Sequence, residues 1–216
     1  MSTAPLTFSP ADRPDLLPGE EPAWEVALLF PRQGRWSEEE YLRLSESTNR
    51  LVELHNGRIE VLTMPTIAHQ LIVKFLLRLF DDFVESAKLG QVLFAPMPVW
   101  LSPENYREPD ITFCFTQRHR SAGGRYYKGI DLAMEVVSDD ARSHERDYDQ
   151  KRADYAAAGI SEYWIVDPRQ RLITVLALDG DKYAIHGEFR DGEHAVSRLL
   201  PGFGVDVTVA FTAAER

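Results

Sequence analysis

Three residues carry the clearest chemical signal. Asp110 opens the apolar run PDITFCF, Glu135 lies within DLAMEVVS 25 residues further on, and Lys151 follows 16 residues later. Leu132, Ala133, Met134, Val136 and Val137 surround Glu135, which predicts a strand buried on both faces. An ionised carboxylate in such a strand is costly unless it is paired or binds a cation. Capping of the next helix, or half of a buried salt bridge, would also satisfy it. Tyr148, Lys151, Tyr155 and Ala158 fall on one helical face, so Lys151 is expected to point inward with Arg142, Arg146 and Arg152 outside. The alternative is a lysine snorkelling at the edge of that face, and a methionine there should preserve packing and fold. Two carboxylates and a lysine are the minimal set for metal-assisted phosphodiester hydrolysis. The carboxylates hold a hard divalent cation, Mg²⁺ or Mn²⁺; the lysine orients or deprotonates a water and steadies developing charge.

Charge limits how such a protein could meet nucleic acid. The 216 residues hold 24 Lys+Arg against 34 Asp+Glu, a net charge of −10, which argues against coating nucleic acid by bulk attraction. A local basic surface is needed. The loop QRHRSAGGRYYKGI, 117–130, supplies Arg118, Arg120, Arg125 and Lys128 with no acid, and interleaves Tyr126 and Tyr127. It is either a sugar-phosphate contact or a solvated surface loop. The single cysteine, Cys114, excludes an intramolecular disulfide and a cysteine-based zinc site, and suggests a reducing, cytoplasmic setting. The histidines lack HxH, HxxxH and HExxH spacing, and no GxSxG or phosphate-loop motif occurs. No apolar run reaches the ~18 residues of a membrane span, and the N-terminus lacks the pattern of a signal peptide.

The elements that must position these residues can be read along the chain. Residues 1–35 hold six of the 13 prolines with no periodic pattern, which predicts an extended Pro-rich N-terminal arm ahead of one domain, 36–216. Ser37 and Glu40 form a capping box opening a helix through Ser47. LVELH and RIEVL around Asn56-Gly57 make a β-hairpin. Thr66 caps a long helix expected to run until Gly90, with Leu71, Ile72, Phe75, Leu79, Phe83 and Val84 on its apolar face. QVLFAPMPVWL, cut by Pro96 and Pro98, predicts an irregular or edge strand. SEYWIVD and RLITVLAL are further strands, and hairpins follow at Asp179-Gly180 and Asp191-Gly192. The expected fold is α/β, a mixed sheet flanked by helices with an N-terminal β-hairpin.

Pro109-Asp110-Ile111, EVVS from Glu135 to Ser138, Lys151, and YAAAGISEYWIVD from Tyr155 to Asp167 together resemble the Uma-type restriction-endonuclease family of the PD-(D/E)xK nuclease superfamily. LVELHNGRI, Met64-Pro65, His69-Gln70 and Leu200-Pro201-Gly202-Phe203 are similar to it too, so the resemblance covers roughly 36–211. It implies a restriction-endonuclease-like fold and Mg²⁺- or Mn²⁺-dependent endonuclease cleavage of DNA by in-line water attack, leaving a 5′-phosphate and a 3′-hydroxyl. By that resemblance Asp110 and Glu135 ligate the metal with the Val136 carbonyl, and Lys151 positions the water. Val137 stands where most of the superfamily carries the motif lysine, which in this family comes from the following helix. His69 fits a family histidine and Glu53 could complete the acidic site, or each could be structural. The rival is a catalytically silent nucleic-acid-binding or assembly module with the same fold. The sequence leaves a homodimer open.

Overall fold

The computed structural model describes residues 30–117, 121–122, 124–138 and 144–215. Most of the expected arm therefore lies outside the described residues, as do Arg118, Arg120 and Arg142. The chain divides into Met1–Arg32 and a compact unit, Gln33–Arg216, to which everything below belongs.

The unit opens with helix α1, Glu38–Ser47, closed at its start by the Ser37–Glu40 capping box. Strands β1, Val52–His55, and β2, Arg58–Val61, form the hairpin. Asn56 (φ 50°) and Gly57 (φ 68°) supply the two left-handed residues that such a turn demands. Helix α2, Ile67–Ser86, follows, its first turn tied by the His69 N–H donating to Thr66 Oγ1 at 3.2 Å.

Here the structure corrects the sequence reading. The helix ends at Ser86, and Lys88 takes a left-handed φ of 53°. Gly90 is instead the first residue of β3, Gly90–Phe94, where a Cβ would stand 2.0 Å from the Cys114 carbonyl oxygen. Glycine is required there for close strand approach. The buried face of α2 is His69, Ile72, Val73, Leu76, Phe80 and Val84, so Phe75, Leu79 and Phe83 lie at its margin.

The proline-cut run resolves into two strands of different sheets, β3 and β4, Val99–Ser102. Next come β5, Asn105–Arg107, β6, Ile111–Phe115, β7, Ser121–Ala122, β8, Tyr126–Lys128, and β9, Leu132–Val136. A π-helical turn, Arg146–Gln150, leads into helix α3, Lys151–Ala157. Strands β10, Glu162–Asp167, β11, Leu172–Asp179, and β12, Lys182–Phe189, complete the main sheet. The short pair β13, His194–Val196, and β14, Gly204–Asp206, precedes helix α4, Val207–Thr212.

Two six-stranded mixed sheets result. One runs β12-β11-β10-β9-β6-β3; the other runs β2-β1-β5-β4-β8-β7, so the hairpin is the edge of a second sheet. In the first sheet β9 and β10 are parallel, linked by the crossover through α3. Its apolar layer against α2 and α4 includes Phe80, Trp164 and Phe203. The opposite layer packs Tyr155, Tyr163 and Ile165 toward Val99 of β4. As expected, β9 is buried at every position. Among the described residues no helix is long and apolar enough to cross a membrane.

Candidate active site

The start of β6, the end of β9, the first turn of α2 and the turn into α3 meet at a pocket of about 240 Å³. Asp110, Glu135, Val136, Lys151 and His69 all line it, so the folded chain brings the three principal sequence candidates together.

Lys151 Nζ lies 2.8 Å from Glu135 Oε1, 3.4 Å from Asp147 Oδ1 and 3.5 Å from Glu53 Oε1, and the residue is 1% exposed. It is thus the buried counterion of three carboxylates rather than a snorkelling side chain. Burial works against its charge, but Glu135, Glu53 and Asp147 outweigh it and hold the ammonium protonated well above the usual lysine range. Tyr155 Oη donates to the same Glu135 oxygen at 2.6 Å. Burial pushes the Glu135 carboxyl up; Lys151 opposes this, while Asp110, Asp147 and Glu53 add to it.

Asp110 Oδ2 accepts from the Val136 N–H at 2.8 Å and lies 3.3 Å from His69 Nε2. Burial disfavours the imidazolium, yet the hydrogen bond and charge of Asp110 raise the His69 pKa above its ordinary value. His69 Nδ1 is buried without a partner.

Glu53 does not line the pocket. It stands behind it, fully buried, accepting from Arg107 Nη1 at 2.8 Å and the Glu108 N–H at 2.9 Å. Burial raises its pKa, but Lys151 and Arg107 reverse the shift and bring it down to about 2. Arg107 also meets Glu60 at 3.0 Å and Asp154 at 2.7 Å, so one buried guanidinium ties the hairpin to α3 behind the pocket. A buried cation shared in this way must keep its partners, because removing one leaves an uncompensated charge.

Sequence reasoning missed Glu108, Asp147 and Arg107. Glu108 lines the pocket with Oε2 buried and unpartnered, and burial together with Glu53 pushes it up to about 8, with Lys151 opposing. The signal available was Glu108-Pro109-Asp110 itself, two carboxylates flanking a proline at a strand start. Asp147 sits in the π-helical turn four residues before Lys151, and that ordinary i, i+4 pairing was the signal available. There the Lys151 N–H donates to Arg146 O five residues back, adding a residue to the turn. That extra residue overturns the expected position of Arg146. It lines the pocket, 3.4 Å from Asp147, instead of facing outward. Arg152 donates to the Tyr183 carbonyl.

The basic loop stands differently. Arg118 and Arg120 lie outside the described residues. Arg125 pairs with Glu46 at 2.6 Å and Glu39 at 3.2 Å on α1, and Lys128 sits 3.7 Å over the Trp100 ring. Neither lines the pocket.

The oxygen donors suit a hard cation. Four carboxylates line the pocket, Glu108, Asp110, Glu135 and Asp147, beside Arg146, Lys151 and His69, and burial pushes the Glu108 and Glu135 carboxyls up, so a bound cation would stabilise their ionised forms. With the orphaned Glu108 oxygen, this set of oxygen donors fits a divalent ion. Among the described residues no three His, Cys, Asp or Glu side chains converge closely enough to hold an ion alone. One or two carboxylates completed by water and substrate phosphate is the usual manner of binding Mg²⁺.

A family model described as "Uma2: Putative restriction endonuclease" matches residues 38–210. Among solved structures, one from Anabaena variabilis, titled a putative nuclease belonging to DUF820, superposes with a TM-score of 0.67 at 16% identity. The match covers 82% of this chain and 98% of that one, and at that identity it speaks to the fold. No curated protein matches the chain.

Proposed function

Since the chain belongs to the Uma2 family, we propose that it is a metal-dependent endonuclease hydrolysing DNA phosphodiester bonds in this pocket. The observation that carries the reading is the 2.8 Å contact of Lys151 with Glu135 in a pocket that Asp110 also lines.

Asp110 and Glu135 would hold Mg²⁺ or Mn²⁺ with the Val136 carbonyl, each carboxylate using the oxygen left after its internal bonds. A bound ion supplies Lewis acidity, polarising a phosphoryl oxygen and acidifying a nearby water. The residues of the chain do the rest. The Val136 N–H and His69 fix the orientation of Asp110; Tyr155 and Lys151 fix that of Glu135. Lys151 brings a charge that burial keeps from dissipating into solvent, placed to orient the attacking water and steady the pentavalent phosphate. Glu53, itself held by Arg107, pairs with that lysine from behind.

The test is conversion of supercoiled DNA to nicked or linear product in Mg²⁺ or Mn²⁺ and in EDTA. Product that DNA ligase reseals carries a 5′-phosphate and a 3′-hydroxyl, the ends expected when the P–O3′ bond is hydrolysed. DNA binding without cleavage in either ion would overturn the proposal in favour of a silent binding module.

A further inference from the structure

The pocket that holds the carboxylates has a second character. Above the acidic floor its walls are Leu51, Leu62, Met64, Pro65, Ala95 and Pro96, and two amides, Asn49 and Gln70, share the lining. Large apolar side chains stand exposed on the segments bordering it: Met64 at 63%, Ile67 at 82% and Phe94 at 57%. Phe94 precedes Ala95, whose N–H donates to the Asp110 carbonyl at 3.1 Å, so this segment is bonded directly to the residue that opens the site.

Charge offers little to any nucleic acid in this pocket, so contact with bases must carry more of the binding. Double-stranded DNA is gripped mainly through lysines and arginines on phosphates, whereas single strands also expose base faces to stacking. In this pocket Arg146 and Lys151 each already face carboxylates at 3.4 Å or less. Arg125 is paired with α1, and the whole chain carries −10. The volume, about 240 Å³, is also below the ~300–1,000 Å³ of pockets that take drug-sized ligands, which leaves room for a single base and not for a base pair.

Resting on the endonuclease reading, we infer that the substrate is DNA with unpaired bases: a single strand, a frayed end or a bubble. A base beside the scissile phosphate enters between the apolar walls, its polar edge meets Asn49 and Gln70, and Phe94 and Met64 offer surfaces on which it or its neighbour packs. Stacking on apolar and aromatic side chains is the sequence-tolerant way to hold single strands, since every base has a π-face. In a duplex the same base stays stacked, and extruding it adds an unpairing cost. A second copy of the chain seated on the exposed apolar residues would close the entrance to the carboxylates, so a base is the occupant consistent with a working site.

The experiment compares cleavage of one labelled oligonucleotide as a single strand, as a full duplex, and as a duplex with an internal bubble. Each is measured in Mn²⁺ with wild type, Phe94→Ala and Met64→Ala. Wild type should cut the single strand and the bubble at least about tenfold faster than the duplex, with cuts confined to the unpaired region. The two variants replace exposed side chains and should fold normally, which melting temperature verifies. Each should weaken single-strand binding, read by fluorescence anisotropy in Ca²⁺, by about five- to tenfold, the scale of part of one stacked base. Equal or faster cutting of the duplex overturns the inference and leaves the endonuclease reading standing. So does wild-type single-strand affinity in both variants. Failure of wild type to cut all three substrates removes the reading itself, and this inference with it.

Discussion

Replacing Lys151 by methionine removes one positive charge from among three buried carboxylates at 2.8, 3.4 and 3.5 Å. Each contact is worth about 5 kcal/mol of gross attraction at the effective dielectric of a protein site. Desolvation of the ammonium cancels much of the sum, but its raised pKa shows that attraction prevails. Breaking a buried ion pair from one side costs ~3–5 kcal/mol, which for a domain of this size is a fall of roughly 6–20 °C in melting temperature. Sequence alone allowed methionine to keep the packing and the fold; three carboxylates around one ammonium remove that tolerance. The pH dependence follows from the same contacts. Lys151 lowers the pKa values of Glu53, Glu135 and Asp147, so its loss raises all three in the folded state. The folded variant then binds more protons than the unfolded chain, and its stability falls as pH rises. The gap to wild type should be largest near pH 8 and narrower at pH 5, recovering up to about 1.4 kcal/mol per pH unit for each proton taken up. Thermal melts of both proteins at pH 5 and pH 8, without metal, measure it. A variant within 2 °C of wild type at pH 8, or an equal gap at both pH values, would refute the reasoning.

Two further outcomes test how the frame is held. Glu162 is fully buried and accepts from Trp164 Nε1 at 2.7 Å, Ser197 Oγ at 2.6 Å and the N–H groups of Arg198 and Leu199 at 2.7 Å each. Glu162→Ala strands four donors and should cost ~3–5 kcal/mol in urea unfolding, while Mn²⁺ affinity of the folded protein stays unchanged because Glu162 does not line the pocket. A loss under 1 kcal/mol would show that the segment after β13 is held otherwise. Gly90→Ala drives a Cβ to 2.0 Å from the Cys114 carbonyl oxygen and should cost at least ~1–3 kcal/mol; unchanged stability would mean that β3 and β6 separate easily.

Much of the frame was legible because its signals are local. The Ser37–Glu40 box, the Asn56-Gly57 turn, the Thr66 cap and the all-apolar neighbours of Glu135 each depend on a few adjacent residues, and each is found where expected. The inward Lys151 was legible from helical periodicity with Tyr155. What failed involves contacts distant in sequence or a break in periodicity. Ordinary helical spacing puts Arg146 outside because it omits the π-helical turn, whereas Asp147 stands at the ordinary i, i+4 spacing from Lys151 and its signal was there to read. Arg107 gathers Glu53, Glu60 and Asp154 from three elements, which no local pattern announces. The end of α2 was misplaced because Gly90 answers to a strand contact rather than to helix termination. The sequence motif around Glu162 drew attention for its resemblance, and its glutamate proves to anchor the segment that follows β13.

The most direct measurement is a Mn²⁺ titration of one protein preparation, followed by calorimetry for binding and by nicking of supercoiled DNA for activity. Wild type should bind Mn²⁺ and cleave over the same concentration range, with no cleavage in EDTA. Asp110→Asn and Glu135→Gln should each lose at least tenfold in Mn²⁺ affinity and essentially all cleavage while remaining folded. Cleavage in EDTA, or wild-type metal affinity and wild-type cleavage in both variants, would contradict the assignment of this pocket as a metal-dependent hydrolytic site.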